Sequence, residues 1–283
     1  MHVAVVIITR DRAGELLRTL ARLCELPEQP EIVVVDQGSR DGTARRVRRR
    51  FPDVAVVRLA HDRGAAGRAV GVRVTDAPYV AFCDDDSWWA PGAIARAAAL
   101  LDAHPTIAVV AGRVLLGPEQ RLDPACAAMA RSPLPGAVDP PARRVLGFVA
   151  CGAIVRRSAF LEVGGFHPRL RIGAEEQLLA TDLAARGWEL VYRDDVVAFH
   201  HPSPVRDHGG RRAQQLRNQL WFAWLRRGRM TALRRTLGAA CDAARDRSAR
   251  AGLLEALAGV RWVLAERRPV PRWLEVSLRE LDA

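Results

Sequence analysis

The sequence predicts an α/β fold, a mostly parallel sheet with helices on both faces, followed by a basic helical extension. Three observations carry this reading. Short β-branched runs alternate with helix-periodic segments across the first part of the chain, joined by short loops. The runs are apolar throughout, as strands buried on both faces are. From about residue 205 the pattern becomes wholly helical, and residues 201–283 hold 17 Arg against 8 acids, a net +9.

Each element follows from its own residues. "HVAVVIIT" (2–9) is an apolar, β-branched strand. "RAGELLRTLARLCEL" (12–26) sets Leu16, Leu17, Leu20 and Leu23 at helical spacing, with Pro27 just beyond as a stop. "EIVVVD" (31–36) and "VAVVRLA" (54–60) are further strands around a basic helix in 39–51. "RGAAGRAVGVRVT" (63–75) is a Gly-rich loop entering a helix, and "YVAFCD" (79–84) is the fourth strand. A helix (91–105) and a strand (107–116) follow. Residues 117–145, rich in Pro, Ala and Arg, read as a long loop, of the kind that often carries function. Then come an ordered stretch at 148–166, a helix near 174–187 and a strand at 189–201.

Composition narrows the class. With 49% hydrophobic and 27% charged residues, the chain is globular. No apolar run reaches 18 residues and the N-terminus enters a strand directly, so neither a transmembrane helix nor a secretory signal is expected. The expected location is the cytoplasm, with peripheral contact at the inner face of a membrane as an option. The five cysteines are scattered and form no CxxC pair, which argues against zinc and disulfides. The net charge is +11, carried by Arg alone and concentrated in the C-terminal part. Such charge attracts phosphate, acidic lipid or nucleic acid, but no nucleic-acid recognition motif accompanies it.

The candidate chemistry starts at "VAFCDDDSWWAPG" (80–92). Asp84, Asp85 and Asp86 end a strand with no basic neighbour in sequence. Two readings stand level: a hard divalent cation held by carboxylates, or a solvated acidic turn ahead of a helix. In open α/β sheets ligands bind beyond the carboxyl ends of strands, so Asp36 and the triplet are expected on one crevice. "GAEEQLL" (173–179) puts Glu175 and Glu176 at a helix start, either as favourable end charges or as a general base. Arg68, in the Gly-rich segment, suits a phosphate, although a plain tight turn is the commoner meaning of such a loop. His200 offers an imidazole at a strand end, a weak metal signal by itself. Trp88 and Trp89 suit either stacking on a sugar or burial.

Taken in order, "VVIITRDRAGELLRTLARL", "EIVVVDQGSRDGT", "DRGAAGRAVGV", "YVAFCDDDSWWAPGAI", "CGAIVRRSAFLEVGGF", "GAEEQLLATDLAARGWELVY" and "VVAFHH" resemble the family 2 inverting glycosyltransferases with the GT-A fold, across residues 3–201. The resemblance implies a GT-A catalytic domain at 1–204, with a nucleotide-sugar half at 1–112 and an acceptor half at 113–204, and a helical extension at 205–283. It implies that Thr9, Arg10, Asp36, Arg68, Asp84 and Asp85 bind the nucleotide sugar. Asp86 and His200 would hold Mn²⁺ or Mg²⁺, and Glu176, with Glu175 beside it, would be the catalytic base. It also implies a nucleoside-diphosphate sugar donor and an acceptor hydroxyl in polysaccharide, glycolipid or specialised-metabolite assembly.

The chain departs from the family pattern at Ala69 (usually Asn), Leu178 (often acidic), Asp182 (commonly Arg) and Glu176 (usually Asp). The alternatives are a nucleotidyltransferase and a non-catalytic sugar-nucleotide-binding protein. The first would want a Gly-rich basic signature after the first strand, which "TRDRAGE" lacks. The segment "RRAQQLRNQLWFAWLRRGRMTALRR" (211–235) reads as a basic amphipathic helix, packed on the catalytic domain in preference to lying on an anionic bilayer.

Overall fold

The computed structural model describes residues 2–136, 142–202 and 208–282. The first half holds β1 (Val3–Thr9), α1 (Ala13–Cys24), β2 (Glu31–Asp36), α2 (Thr43–Arg50), β3 (Ala55–Arg58), α3 (Arg68–Val74), β4 (Tyr79–Asp84), β5 (Ser87–Trp89), α4 (Ala93–Ala103) and β6 (Ile107–Leu116). Then come β7 (Arg121–Leu122), α5 (Pro124–Ala130), β8 (Arg143–Arg144), β9 (Ala153–Arg156), α6 (Arg157–Glu162), α7 (Glu175–Ala185) and β10 (Glu189–His200). Five helices follow: α8 (His208–Arg226), α9 (Arg229–Ala243), α10 (Arg247–Ala258), α11 (Val260–Ala265) and α12 (Arg272–Asp282).

The strands form one sheet in the order β3-β2-β1-β4-β9-β6-β10-β5. The expected parallel core is its N-terminal half, where β3, β2, β1 and β4 run the same way. Beyond β4 the sheet is mixed, because β9 runs antiparallel to both β4 and β6. β10 runs parallel to β6 and antiparallel to β5. The sheet buries both faces. One carries Val6, Val33, Phe82 and Phe160, and the other Ile7, Leu16, Leu20 and Ile94. Gly71 lets α3 lie flat on the sheet, since a Cβ there would stand 2.5 Å from Val6 Cγ1.

Two segments differ from the sequence reading. The stretch 117–145, expected as a loop, contains α5 and pairs β7 and β8 onto the sheet. Its elements are two to seven residues long, too short to show periodicity. The expected single helix at 211–235 is two, α8 and α9, broken at Arg227–Gly228. The division expected at 204/205 falls in 203–207, outside the described residues, and that at 112/113 lies inside β6.

α8 docks on α7 as expected, through Leu178, Phe222 and Leu225 and through an ion pair of Arg226 with Asp182. Two of the four departures from the family pattern, Leu178 and Asp182, therefore face the C-terminal helices. At the α8–α9 break, Arg227 is fully buried. It donates to Glu275 Oε2 (3.0 Å) and Asp282 Oδ2 (2.8 Å) of α12. Glu275 also accepts from Thr231 Oγ1 (2.7 Å) and from the Gly228 N–H (3.1 Å).

Candidate active site

A cleft of about 520 Å³ opens beyond the carboxyl ends of β1 and β4. Thr9, Arg10, Arg68, Asp84, Asp85, Asp86, Glu175, Glu176 and His200 all line it. The fold thus gathers nine of the ten residues singled out from sequence. Asp36 is the exception. It is buried at the end of β2, where Oδ1 accepts the Ser39 N–H (2.8 Å) and Oδ2 has no hydrogen-bond partner. Its neighbour Gln37 lines the cleft.

The acidic turn between β4 and β5 is fixed from three sides. Arg12, at the entrance to α1, reaches Asp85 Oδ1 at 2.7 Å and Asp86 Oδ2 at 2.9 Å. Thr9 Oγ1 donates to Asp85 Oδ2 (2.8 Å), and Thr19 Oγ1 to the Asp85 carbonyl (2.9 Å). The antiparallel register of β10 on β5 sets His200 opposite Ser87, so that His200 Nε2 lies 3.2 Å from Asp86 Oδ1. Arg68 donates to Asp84. The triplet therefore has protein counter-charges after all, and they come from distant elements.

The environments separate the three carboxyls. Burial pushes Asp85 up to about 7, against the pull of Arg12 and Thr9. Burial acts the same way on Asp86, but the hydrogen bond and charge of His200 and the Arg12 guanidinium hold it well below the usual carboxylate range. Ligand atoms of Asp84, Cys151 and His200 also lie within 4.8 Å of one another. Burial keeps the Cys151 thiol protonated, so the ligands suited to a hard or borderline cation here are carboxylate oxygens and one imidazole.

Across the cleft, α7 begins with Glu175 and Glu176. Residues Arg171 (φ 32°), Gly173 (φ 87°) and Ala174 (φ 65°) bend the chain sharply before it. That bend meets the loop before α3. The Ala65 N–H donates to the Arg171 carbonyl at 2.9 Å, and a Cβ on Gly64 would stand 2.7 Å from Arg171 Cα. Asp62 ties the two loops by accepting from Arg171 Nη2 at 2.5 Å. Glu176 Oε1 accepts the Ala150 N–H at 3.2 Å, and Glu175 Oε2 is buried without a partner. Burial raises both carboxyls above the ordinary range, and for Glu176 the charge of Glu175 adds to it.

Sequence reasoning missed Arg12, Gln37, Asp62, Cys151 and Arg171. Arg12, Gln37, Asp62 and Cys151 lie inside the quoted segments and Arg171 just ahead of one, but nothing in their spacing assigns them a role until folding brings them to the cleft. The tryptophans stand elsewhere. Trp89 is buried in the core, and Trp88 stacks on Phe199 under the guanidinium of Arg22, 3.6 Å from the ring centroid.

A mixed sheet of this order, with an acidic turn closed by a histidine strand, defines a GT-A-type α/β protein. The sequence profile of Glycosyl transferase family 2 matches residues 4–164, and the chain belongs to that family. It is a glycosyltransferase by this membership, which separates it from the nucleotidyltransferases. The chain is 28% identical to an N-acetylglucosaminyl-diphospho-decaprenol L-rhamnosyltransferase of Mycobacterium tuberculosis, over 70% of this chain and 75% of that one. Over 33% of its length it is 31% identical to the succinoglycan biosynthesis protein ExoU of Rhizobium meliloti, covering 29% of that protein. Among solved structures it resembles the mannosyltransferase PcManGT of Pyrobaculum calidifontis in complex with GDP-Man and Mn²⁺. The TM-score is 0.63 at 22% identity, covering 99% of this chain and 86% of that one. The S. aureus TarS fragment with UDP-GlcNAc gives a TM-score of 0.55 at 18% identity, over 78% and 66% of the two chains.

Proposed function

We propose that the chain is a metal-dependent, inverting glycosyltransferase that moves a sugar from a nucleoside-diphosphate sugar to an acceptor hydroxyl. The observation that carries this is the convergence of Asp84–Asp86, His200, Arg68 and Glu176 on one cleft. Asp86 and His200 would hold Mn²⁺ or Mg²⁺, with Asp84 within reach. When bound, the cation would supply positive charge for the departing diphosphate. Arg68 and Arg10 would bind the diphosphate oxygens, while Thr9, Asp85 and Asp36 would position the nucleoside and sugar. Asp36 Oδ2, which accepts no hydrogen bond and has Arg58 Nε 3.8 Å away, would accept from a base or ribose donor reaching past Gln37.

In the transfer step the acceptor oxygen forms a bond to the anomeric carbon as the bond to the diphosphate oxygen breaks on the opposite face. Glu176 takes the acceptor's proton and the nucleoside diphosphate leaves with the bonding pair. Burial, with the charge of Glu175 added, raises the affinity of Glu176 for that proton. The name of the N-acetylglucosaminyl-diphospho-decaprenol L-rhamnosyltransferase relative supports a saccharide on a lipid carrier as the acceptor.

The test is a panel of nucleotide sugars with and without Mn²⁺, read by thermal shift and by release of nucleoside diphosphate. Stabilisation and turnover by a donor only with the metal is the expected result. No metal-dependent response to any donor would overturn the proposal.

A further inference from the structure

The sequence favoured packing over a bilayer for the segment that holds α8, and its tryptophans are indeed half-buried in packing, with Trp221 set edge-on to Trp262. Exposed apolar side chains stand on all four later helices, including Trp273 and Val276 of α12, and the most exposed are on the next three. On α9, Met230 (74% exposed), Leu233 and Leu237 (67%) follow helical spacing and share a face. On α10 and α11, Leu257, Val260 and Leu264 are each about half exposed. A groove of about 200 Å³ runs along the second row and reaches α9 at Thr236, although Met230, Leu233 and Leu237 do not line it. Trp221 and Trp224 of α8 form its floor, Leu257 and Leu264 form one wall, and Thr236, a turn beyond Leu233, stands on the other. Exposed apolar surface on this scale marks an interaction site.

Charge selects the occupant. Arg229 and Arg234 sit beside the α9 row, and Arg261 and Arg268 beside the α11 row, all four exposed. None makes an ion pair among the described residues, while the nearby acids Glu255 and Glu266 are paired with Arg217 and His167. A second copy docked face to face would set these guanidinium groups against each other. An anionic bilayer would neutralise them and take up the leucines, which is how basic amphipathic helices lie in a headgroup region. No helix among the described residues is long and apolar enough to cross a membrane.

We propose that the face formed by α9, α10 and α11 docks flat on an anionic lipid bilayer, with Leu237, Leu257 and Leu264 entering the acyl boundary and Arg229, Arg234, Arg261 and Arg268 on the headgroups. The proposal stands apart from the cleft chemistry, and none of these residues lines the cleft.

The test is co-sedimentation of the full chain with vesicles of phosphatidylcholine alone, or containing about one-third phosphatidylglycerol. Binding to the anionic vesicles should exceed that to the neutral ones roughly tenfold and fall with salt. Leu237→Glu with Leu264→Glu should reduce it by a further order of magnitude or so at unchanged melting temperature. Arg234→Gln with Arg261→Gln, a milder pair that leaves the leucines in place, should reduce it roughly tenfold. Three results would overturn the proposal: no binding to anionic vesicles; binding that both variant pairs leave unchanged; or a stable dimer in solution that the leucine variants dissociate while vesicle binding is absent.

Discussion

Arg12 Nη2 lies 2.9 Å from Asp86 Oδ2, although the two residues stand 74 positions apart in sequence. The same guanidinium holds Asp85, so one side chain from the start of α1 neutralises two of the three acids in the β4–β5 turn. The third, Asp84, pairs with Arg68. The acidic turn is thus held in shape by protein charges before a donor arrives.

Replacing Arg12 with Ala leaves two buried carboxylates short of a counter-charge. The expected loss is about 2–3 kcal/mol, a drop in melting temperature of roughly 5–10 °C. Mn²⁺ should stabilise Arg12→Ala more than the wild type, because a cation on Asp86 replaces the missing charge. Equal stabilisation in a calorimetric scan would separate the cation site from this pair.

Asp86→Asn and Cys151→Ser test which of the converging groups would hold a cation. Donor affinity in Mn²⁺, measured by titration calorimetry, should fall roughly hundredfold in Asp86→Asn. It should change by less than about threefold in Cys151→Ser, since a buried protonated thiol is a poor ligand for such a cation. A large loss in the cysteine variant would move the site toward Asp84, Cys151 and His200.

Glu176→Gln should leave donor binding intact and lower the transfer rate by roughly 10²–10⁴-fold. The pH profile gives a finer test. A base must be ionised, so a raised carboxyl places the rising limb of the rate above the ordinary carboxylate range. Glu175→Gln removes the neighbouring negative charge, so that limb should move to lower pH. An unmoved profile would mean that Glu176 does not report on Glu175.

Glu275 provides the stability counterpart. Burial would raise its carboxyl, but hydrogen bonds from Thr231 and Arg227 lower it to about 2, from an ordinary 4.5. A depressed carboxyl contributes stability that is fully present above 4.5 and is lost as pH falls toward 2. Glu275→Gln should therefore cost about 2 kcal/mol at neutral pH, because the buried Arg227 keeps only Asp282 as a counter-charge. The gap between variant and wild type in chemical denaturation should narrow below pH 4.5.

Much of the fold was legible because its central strands are largely buried. "VAVVIIT" and "EIVVVD" have no polar face to confuse the reading, and β6, with Arg113 its one exposed residue, has the predicted ends. The antiparallel β9 was not legible, since strand direction is set by pairing and leaves no local mark. The break between α8 and α9 hid inside a continuous helical spacing. At the site, Asp84–Asp86 and Glu175–Glu176 were visible as adjacent charges, and Asp36 at the end of its strand. Arg12 was invisible because one arginine among 43 basic residues carries no signal until its neighbours are known.

The burial of Arg227 has a consequence for synthesis. Its two carboxylate partners follow 48 and 55 residues later, which at ordinary ribosomal speed is a delay of roughly 3–10 s. In that interval the guanidinium has to stay in water, so the α8–α9 junction cannot close early. The helical layer is then built with its keystone last, and a ribosome stalled anywhere in α12 would leave that junction ajar on an otherwise finished sheet.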